Sequence, residues 1–150
     1  EETFNANLGG NIGFTLQQLP GLSVNEGEDG EPSGVNIRGL EAAFDHLYRG
    51  RYDEAIELAL ALRATTPDQL STYELRSSAM HLRLRRELGP AKNKKEALAA
   101  CAACPARLTE LKSEIGEGRA RAKARLETHE NDLAARFYLG KIDLTHVWLH

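Results

Sequence analysis

The sequence predicts an all-α fold of antiparallel helix pairs stacked as a short solenoid, preceded by an irregular or short-stranded N-terminal segment. Three observations carry this expectation. From Leu40 onward, apolar residues recur at three- and four-residue spacing, the period of a helix that buries one face. Turn and stop signals at Gly50, Pro67, Gly89-Pro90 and Asn131-Asp132 cut that pattern into helix-length pieces. Residues 1–39, by contrast, are rich in Gly, Asn and Glu and show no helical period.

Two domains are therefore expected: an acidic segment over 1–39 and a helical domain over 40–150. Charge divides the chain in the same place. The first 37 residues hold six acidic groups and no Lys or Arg, which leaves 19 basic against 16 acidic groups (22 less 6) in the remainder. A chain of 150 residues, 41% hydrophobic, is long enough to bury a core without metal or disulfide support. No run approaches the roughly 18 apolar residues that a membrane span requires. The absence of an initiating Met before Glu1-Glu2 points to a processed N-terminus, which keeps a removed export signal open.

In the leader, Leu22-Ser23-Val24 and Val35-Asn36-Ile37 alternate as short strands do, provided that something supplies a partner edge. Leu40, Ala43, Phe44, Leu47 and Tyr48 then form an apolar stripe up to Gly50, and Ala55, Ile56, Ala59 and Leu62 repeat it in a second helix that Pro67 stops. Ser71-Thr72-Tyr73-Glu74 spells a capping box for a third helix, running to about Glu87 before Gly89-Pro90. A basic linker, Lys92-Asn93-Lys94-Lys95, leads to an alanine-rich helix that ends near the cysteines. Pro105 suits the first turn of a longer helix carrying Leu108, Leu111 and Ile115, which Gly116 and Gly118 are expected to weaken and bend. After Asn131-Asp132 a last helix extends from Leu133 to Leu149. It closes at His146-Val147-Trp148-Leu149-His150 without a cap, so a continuing chain or another subunit is expected to cover it.

Gly50-Arg51-Tyr52-Asp53-Glu54-Ala55-Ile56, followed by an alanine- and leucine-rich run to Pro67, resembles the second half of a tetratricopeptide repeat. That unit is about 34 residues of helix–turn–helix whose apolar face is buried only by stacking on neighbours. Ala134-Ala135-Arg136-Phe137-Tyr138-Leu139-Gly140 resembles the opening of another repeat, with Arg136 at the family's tryptophan position. The middle repeat departs from the pattern, because no small-residue turn follows Leu84 and the Lys-rich linker and cysteines displace its second helix.

The resemblance implies a non-catalytic scaffold that binds a peptide or protein in a groove lined by the first helix of each repeat. On matching positions, Leu40, Phe44, Leu47 and Tyr48, then Glu74, Ser78 and His81, then Phe137 and Lys141 would face or border that groove. Helix–helix packing is the competing role for the apolar members. Residues 16–40, with Leu19-Pro20-Gly21 before one strand and Ile37-Arg38-Gly39 closing the next, are similar to the plug of TonB-dependent outer-membrane receptors. A flexible acidic leader is the alternative for this stretch. The plug resemblance implies a bacterial periplasm or cell envelope, with the cytoplasm as the alternative, and a receptor- or transport-associated component whose N-terminal segment docks on a partner.

Cys101-Ala102-Ala103-Cys104-Pro105 is the most chemically suggestive element. Two thiols three residues apart at a helix start can form a disulfide, share a metal or exchange electrons. No second cysteine pair completes a zinc site, Pro105 stands where haem attachment needs His, and no strand precedes the pair, so a structural disulfide is the leading expectation and thiol redox the alternative. Asp143, His146 and His150 share a helical face within reach of a common cation, but an ordinary terminal-helix surface or a contact to a continuing chain is the leading expectation. Arg119, Arg121, Lys123 and Arg125 form cationic rows diluted by Glu114, Glu117 and Glu127, so a solvated face is favoured over nucleic-acid binding. No nucleophile–base arrangement, phosphate loop or carboxylate pair stands out, so no enzymatic activity, metal or cofactor is expected.

Overall fold

A computed structural model describes residues 22–26, 32–90 and 93–149, with side chains from residue 39 onward. The expected Leu19-Pro20-Gly21 turn, the acidic glycine loop over 27–31, Lys92 of the basic linker and His150 lie outside the described residues.

The chain divides into two compact units, Glu1–Ala42 and Ala43–His150. In the first, strands β1 (Leu22–Glu26) and β2 (Pro32–Ile37) pair antiparallel, from Leu22 opposite Ile37 to Glu26 opposite Pro32, with an irregularity at Asn25/Glu26. Each short strand thus supplies the edge that the other requires.

From Arg38 the chain is all-α. Among the described residues six helices follow: α1 (Arg38–Tyr48), α2 (Tyr52–Thr65), α3 (Leu70–Leu88), α4 (Lys94–Ala100), α5 (Cys104–Thr128) and α6 (Leu133–Leu149). Gly50 turns α1 into α2 at φ 73°, a backbone conformation that favours glycine, and Arg86 Nη1 ties that turn to α3 by donating to the Gly50 carbonyl at 2.8 Å.

Helix α3 is central, packing against α2, α5 and α6. Its first half is buried without interruption from Leu70 to Leu75, as expected of a helix enclosed on several sides. The pairings give direction. Arg63 meets Thr72 and Asp53 meets Arg83, so α2 and α3 run antiparallel. Asp68 meets Arg121 and Glu87 meets Arg107, so α5 is antiparallel to α3 as well. Glu74 faces Lys141 and His81 faces Trp148, a constant offset of 67 positions (141 less 74, 148 less 81), so α6 runs parallel to α3.

Tight approach replaces a bulky core at several contacts. Ala55 and Ala59 of α2 are fully buried, as are Ala122 of α5 and Ala135 of α6. A Cβ on Gly118 would stand 3.0 Å from Ile142 Cδ1 and 3.1 Å from Tyr73 Cβ, so this glycine is where α3 and α6 close on α5. Gly116 and Gly118 do not interrupt the helix that they were expected to weaken. Helix α5 is continuous through both, because neighbours on two sides offset the propensity cost of about 1 kcal/mol per glycine.

The capping box expected at Ser71–Glu74 does not form either. Helix α3 begins at Leu70 with Gln69 as its N-cap, so Ser71 is already inside the helix and accepts a hydrogen bond from Gln69 Nε2 at 3.0 Å. Glu74 reaches instead for Ser78 and Lys141. Side-chain capping is found elsewhere: Asn93 accepts from the Lys95 and Glu96 amides at α4, and Asp132 accepts from the Ala135 amide at 2.9 Å at α6. That bond, with the Arg125 guanidinium beside it, holds the Asp132 carboxyl below its usual range.

Candidate functional site

The face shared by the parallel helices α3 and α6 collects five of the sequence-derived positions. Glu74, although 4% exposed, accepts a hydrogen bond from Ser78 Oγ at 3.0 Å and lies 3.6 Å from Lys141 Nζ. One turn of α6 before Lys141, Phe137 is exposed and stands edge-on to Tyr138 with centroids 5.2 Å apart. His81 packs on the Trp148 indole at 4.4 Å.

Burial of His81, helped by the nearby Arg85 and Lys94 charges, lowers its pKa to about 4, so the imidazole is neutral at physiological pH. Lys94 of α4 completes the group: its Nζ lies 4.0 Å from the Trp148 ring centroid and donates to the Trp148 carbonyl at 2.6 Å. Trp148 and Lys94 were not picked out as site residues by sequence reasoning. Trp148 is the chain's one tryptophan, and that singularity was the available signal.

The α1 positions are placed differently. Leu47 is buried, Leu40 and Phe44 are half-buried, and Tyr48 is 83% exposed, with its ring stacked on Phe44 at 6.1 Å. Leu47 is therefore a packing residue, and Tyr48 is the α1 side chain offered to solvent.

The strongest apolar surface lies on α6. Leu133, Phe137, Leu144 and Val147 are between 59% and 77% exposed. With Gly140 between them they fall at alternating four- and three-residue steps, which puts them in one stripe. Ala135, Ile142 and Thr145 point the other way and are buried, so α6 carries apolar side chains on two faces.

On the opposite side of α3, charge is internally neutralised. Glu114 of α5 is buried between Arg63 of α2 and Arg76 of α3, Arg76 also reaches Glu110, and the Arg63 guanidinium lies 3.5 Å from the Tyr73 ring centroid. Burial raises the Tyr73 pKa, against the opposing effect of Arg63. Three cations of the rows on α5 likewise meet carboxylates, Arg119 with Asp143 at 2.7 Å, Arg121 with Asp68 at 3.0 Å, and Arg125 with Asp132, while Lys123 is exposed. Asp143, grouped with His146 and His150 in the sequence, thus lies against Arg119, and His150 is outside the described residues. Of the histidines with no evident partner in the sequence, His81 has Trp148, His129 Nδ1 has Thr128 Oγ1 at 2.9 Å, and the buried His46 Nδ1 has no hydrogen bond among the described residues.

Cys101, at the C-terminal end of α4, and Cys104, first residue of α5, are joined by a disulfide. Cys104 is fully buried and Cys101 half-buried. Glu87 of α3 brings Oε2 to 3.9 Å from Cys104 Sγ, while Arg107 holds its other oxygen. The two sulfurs and a Glu87 oxygen lie within 4.8 Å of one another, but bonded sulfurs are not thiolates and hold no metal in this state.

No helix among the described residues is long and apolar enough to cross a membrane. Compared with protein-family models, curated proteins and solved structures, the chain finds no match in any of the three.

Proposed function

We propose that residues 40–150 form a non-catalytic, tetratricopeptide-like interaction module that seats a protein or peptide segment on the face shared by α3 and α6. The exposed stripe of Leu133, Phe137, Leu144 and Val147 carries this reading. A row of large apolar side chains along one helix is the surface that an amphipathic partner covers, at about 25 cal/mol per Å² of apolar area removed from water. The parallel course of α3 and α6, each preceded by an antiparallel neighbour, supports the repeat resemblance. So does the full burial of Ala55 and Ala59 at the α2 contact. Glu74, Ser78 and Lys141 would supply the polar rim, and Tyr48 a further contact on α1.

The test is affinity capture with the full chain as bait, comparing wild type with a Phe137→Asp/Leu144→Asp variant, with partners identified by mass spectrometry. Proteins retained by wild type and lost from the variant support the reading. Identical capture by both, with the variant folded, overturns it.

A second reading rests on the β1–β2 pairing: a cell-envelope component whose residues 16–39 dock as a strand on a partner sheet edge, as the plug-like string implies. Captures that depend on residues 1–39 and ignore the α6 stripe favour this reading, and the bacterial envelope with it.

A further inference from the structure

We propose that the Cys101–Cys104 disulfide is a thiol–disulfide exchange site for a partner dithiol, with Cys101 the sulfur attacked and Cys104 the sulfur that leaves. Access sets the first assignment: Cys101 is half-exposed at the end of a short helix, whereas Cys104 is fully enclosed. An incoming thiolate must approach along the S–S axis, which only the Cys101 side leaves open. The second assignment follows from what surrounds Cys104. As first residue of the 25-residue α5, it sits at the helix's positive end, and Arg107 follows one turn later on the same face. The helix end favours a departing thiolate, whereas Arg107 shares its charge with Glu87, whose carboxylate 3.9 Å from Cys104 Sγ makes that thiolate short-lived and favours its uptake of a proton.

Glu87 then distinguishes an exchange site from a passive staple between α4 and α5. In the disulfide, Cys104 Sγ has no proton, so the Glu87 oxygen 3.9 Å away is an acceptor without a donor on that sulfur. Once the bond opens, the Cys104 thiol can donate to that carboxylate, which Arg107 already holds in place. The reduced form gains an interaction that the oxidised form lacks, and the equilibrium shifts toward reduction.

The electron count closes. The partner's first thiolate attacks Cys101 Sγ, forming a mixed disulfide and releasing Cys104 as thiolate. The partner's second thiolate attacks the partner sulfur of the mixed disulfide, releasing Cys101 as thiolate and leaving the partner as its own disulfide. Both released thiolates take a proton from water, so this chain gains two electrons and two protons, and the partner loses the same number.

The experiment equilibrates the full oxidised chain with graded dithiothreitol at pH 7, quenches with acid, alkylates, and quantifies each cysteine by mass spectrometry. Reduction within minutes, with helical circular dichroism intact, is expected. Glutathione disulfide should form a mixed disulfide with Cys104→Ser at least about 10-fold faster than with Cys101→Ser. Glu87→Leu should lower the equilibrium constant for reduction by about 5–10-fold, consistent with loss of a modest charge-assisted hydrogen bond, and Glu87→Gln, which keeps an acceptor, should restore most of it. A disulfide that opens only when urea unfolds the chain, or an equilibrium that Glu87→Leu leaves unchanged, overturns the proposal. Should the single-cysteine variants fail to fold, the wild-type rate and the Glu87 comparison decide alone.

Discussion

Replacing Glu114 with Gln removes the one carboxylate that Arg63 and Arg76 share in the interior. Glu114 is 4% exposed, and both arginine side chains are 11% exposed, so solvent screens the loss weakly. Glutamine preserves the shape but presents its amide hydrogens to guanidinium donors, leaving two cations where one anion had balanced them; Glu110 compensates Arg76 only from a half-exposed position. Breaking a buried pair by removing one partner typically costs about 3–5 kcal/mol. The unit Ala43–His150 lies just above the size range in which 1 kcal/mol moves Tm by about 4–8 °C. A Tm drop of roughly 12–20 °C is therefore expected, read by far-UV circular dichroism and matched by urea unfolding at constant m-value. The triple change Arg63→Leu/Arg76→Leu/Glu114→Leu should fall within about 1 kcal/mol of wild type or above it, since apolar packing of similar volume often equals a buried ion cluster. A loss below about 1 kcal/mol for Glu114→Gln would refute the reasoning, because that is the behaviour of a solvated pair.

The two glycines of α5 should respond with opposite signs in the same unfolding assay. Gly118→Ala meets Tyr73 Cβ and Ile142 Cδ1 at about 3 Å and should lose about 1–2 kcal/mol net, while Gly116→Ala meets nothing within 4 Å and should gain about 0.5–1 kcal/mol. His81 makes stability depend on pH. Its pKa falls from 6.5 unfolded to about 4 folded, so the unfolded chain binds the extra proton between those values and stability falls as pH drops through that window. Discounted for the solvent that still screens this partly buried ring, the loss should approach roughly 1–2 kcal/mol by pH 4, and urea titrations of wild type and His81→Phe at pH 7 and 4.5 should diverge in that direction and by about that amount. Phe137→Asp and Leu144→Asp, at exposed positions, should each change stability by less than about 0.5 kcal/mol, which is what makes a lost capture interpretable as lost contact.

Helix existence was legible because apolar spacing and the stop signals at Gly50, Pro67 and Gly89-Pro90 are local. What escaped the sequence is non-local. Gly118 reads as a helix breaker until Tyr73 and Ile142, distant in sequence, are known to close on it. Ser71 and Glu74 spell a capping box that loses to a helix beginning at Leu70, because Glu74 finds Ser78 and Lys141, and burial of α3 leaves the first turn no solvent to face. The stripe on α6 was partly visible through Phe137. Its other members were hidden because α6 has apolar residues on two faces, and periodicity alone does not tell which face is covered. Glu87 beside Cys104 joins residues 17 apart across a linker and α4, a juxtaposition that no spacing rule anticipates.

The distribution of charge bears on the recognition role proposed for the α3–α6 face. Several arginines of α2, α3 and α5 are matched by carboxylates from neighbouring elements: Arg63 and Arg76 with Glu114, Arg83 with Asp53, Arg107 with Glu87, Arg119 with Asp143, and Arg121 with Asp68 of the α2–α3 connection. These pairs link α2, α3, α5 and α6 in defined registers, because a one-turn slip of any helix would leave several charges unpaired at once. Such register-setting is the better-attested use of interior ion pairs, whose net contribution to stability is small. Pairing also reduces the cationic rows on α5, where Arg119, Arg121 and Arg125 meet carboxylates and Lys123 stays exposed to solvent. What α6 presents to solvent is a stripe of leucine, phenylalanine and valine flanked by Lys141, directed at Glu74, and by the exposed Arg136, which donates to the Glu130 carbonyl. Under the proposed interaction role, a partner on that surface would draw most of its affinity from apolar area removed from water, with Arg136 at the margin to accept an acidic side chain, as an amphipathic segment would provide.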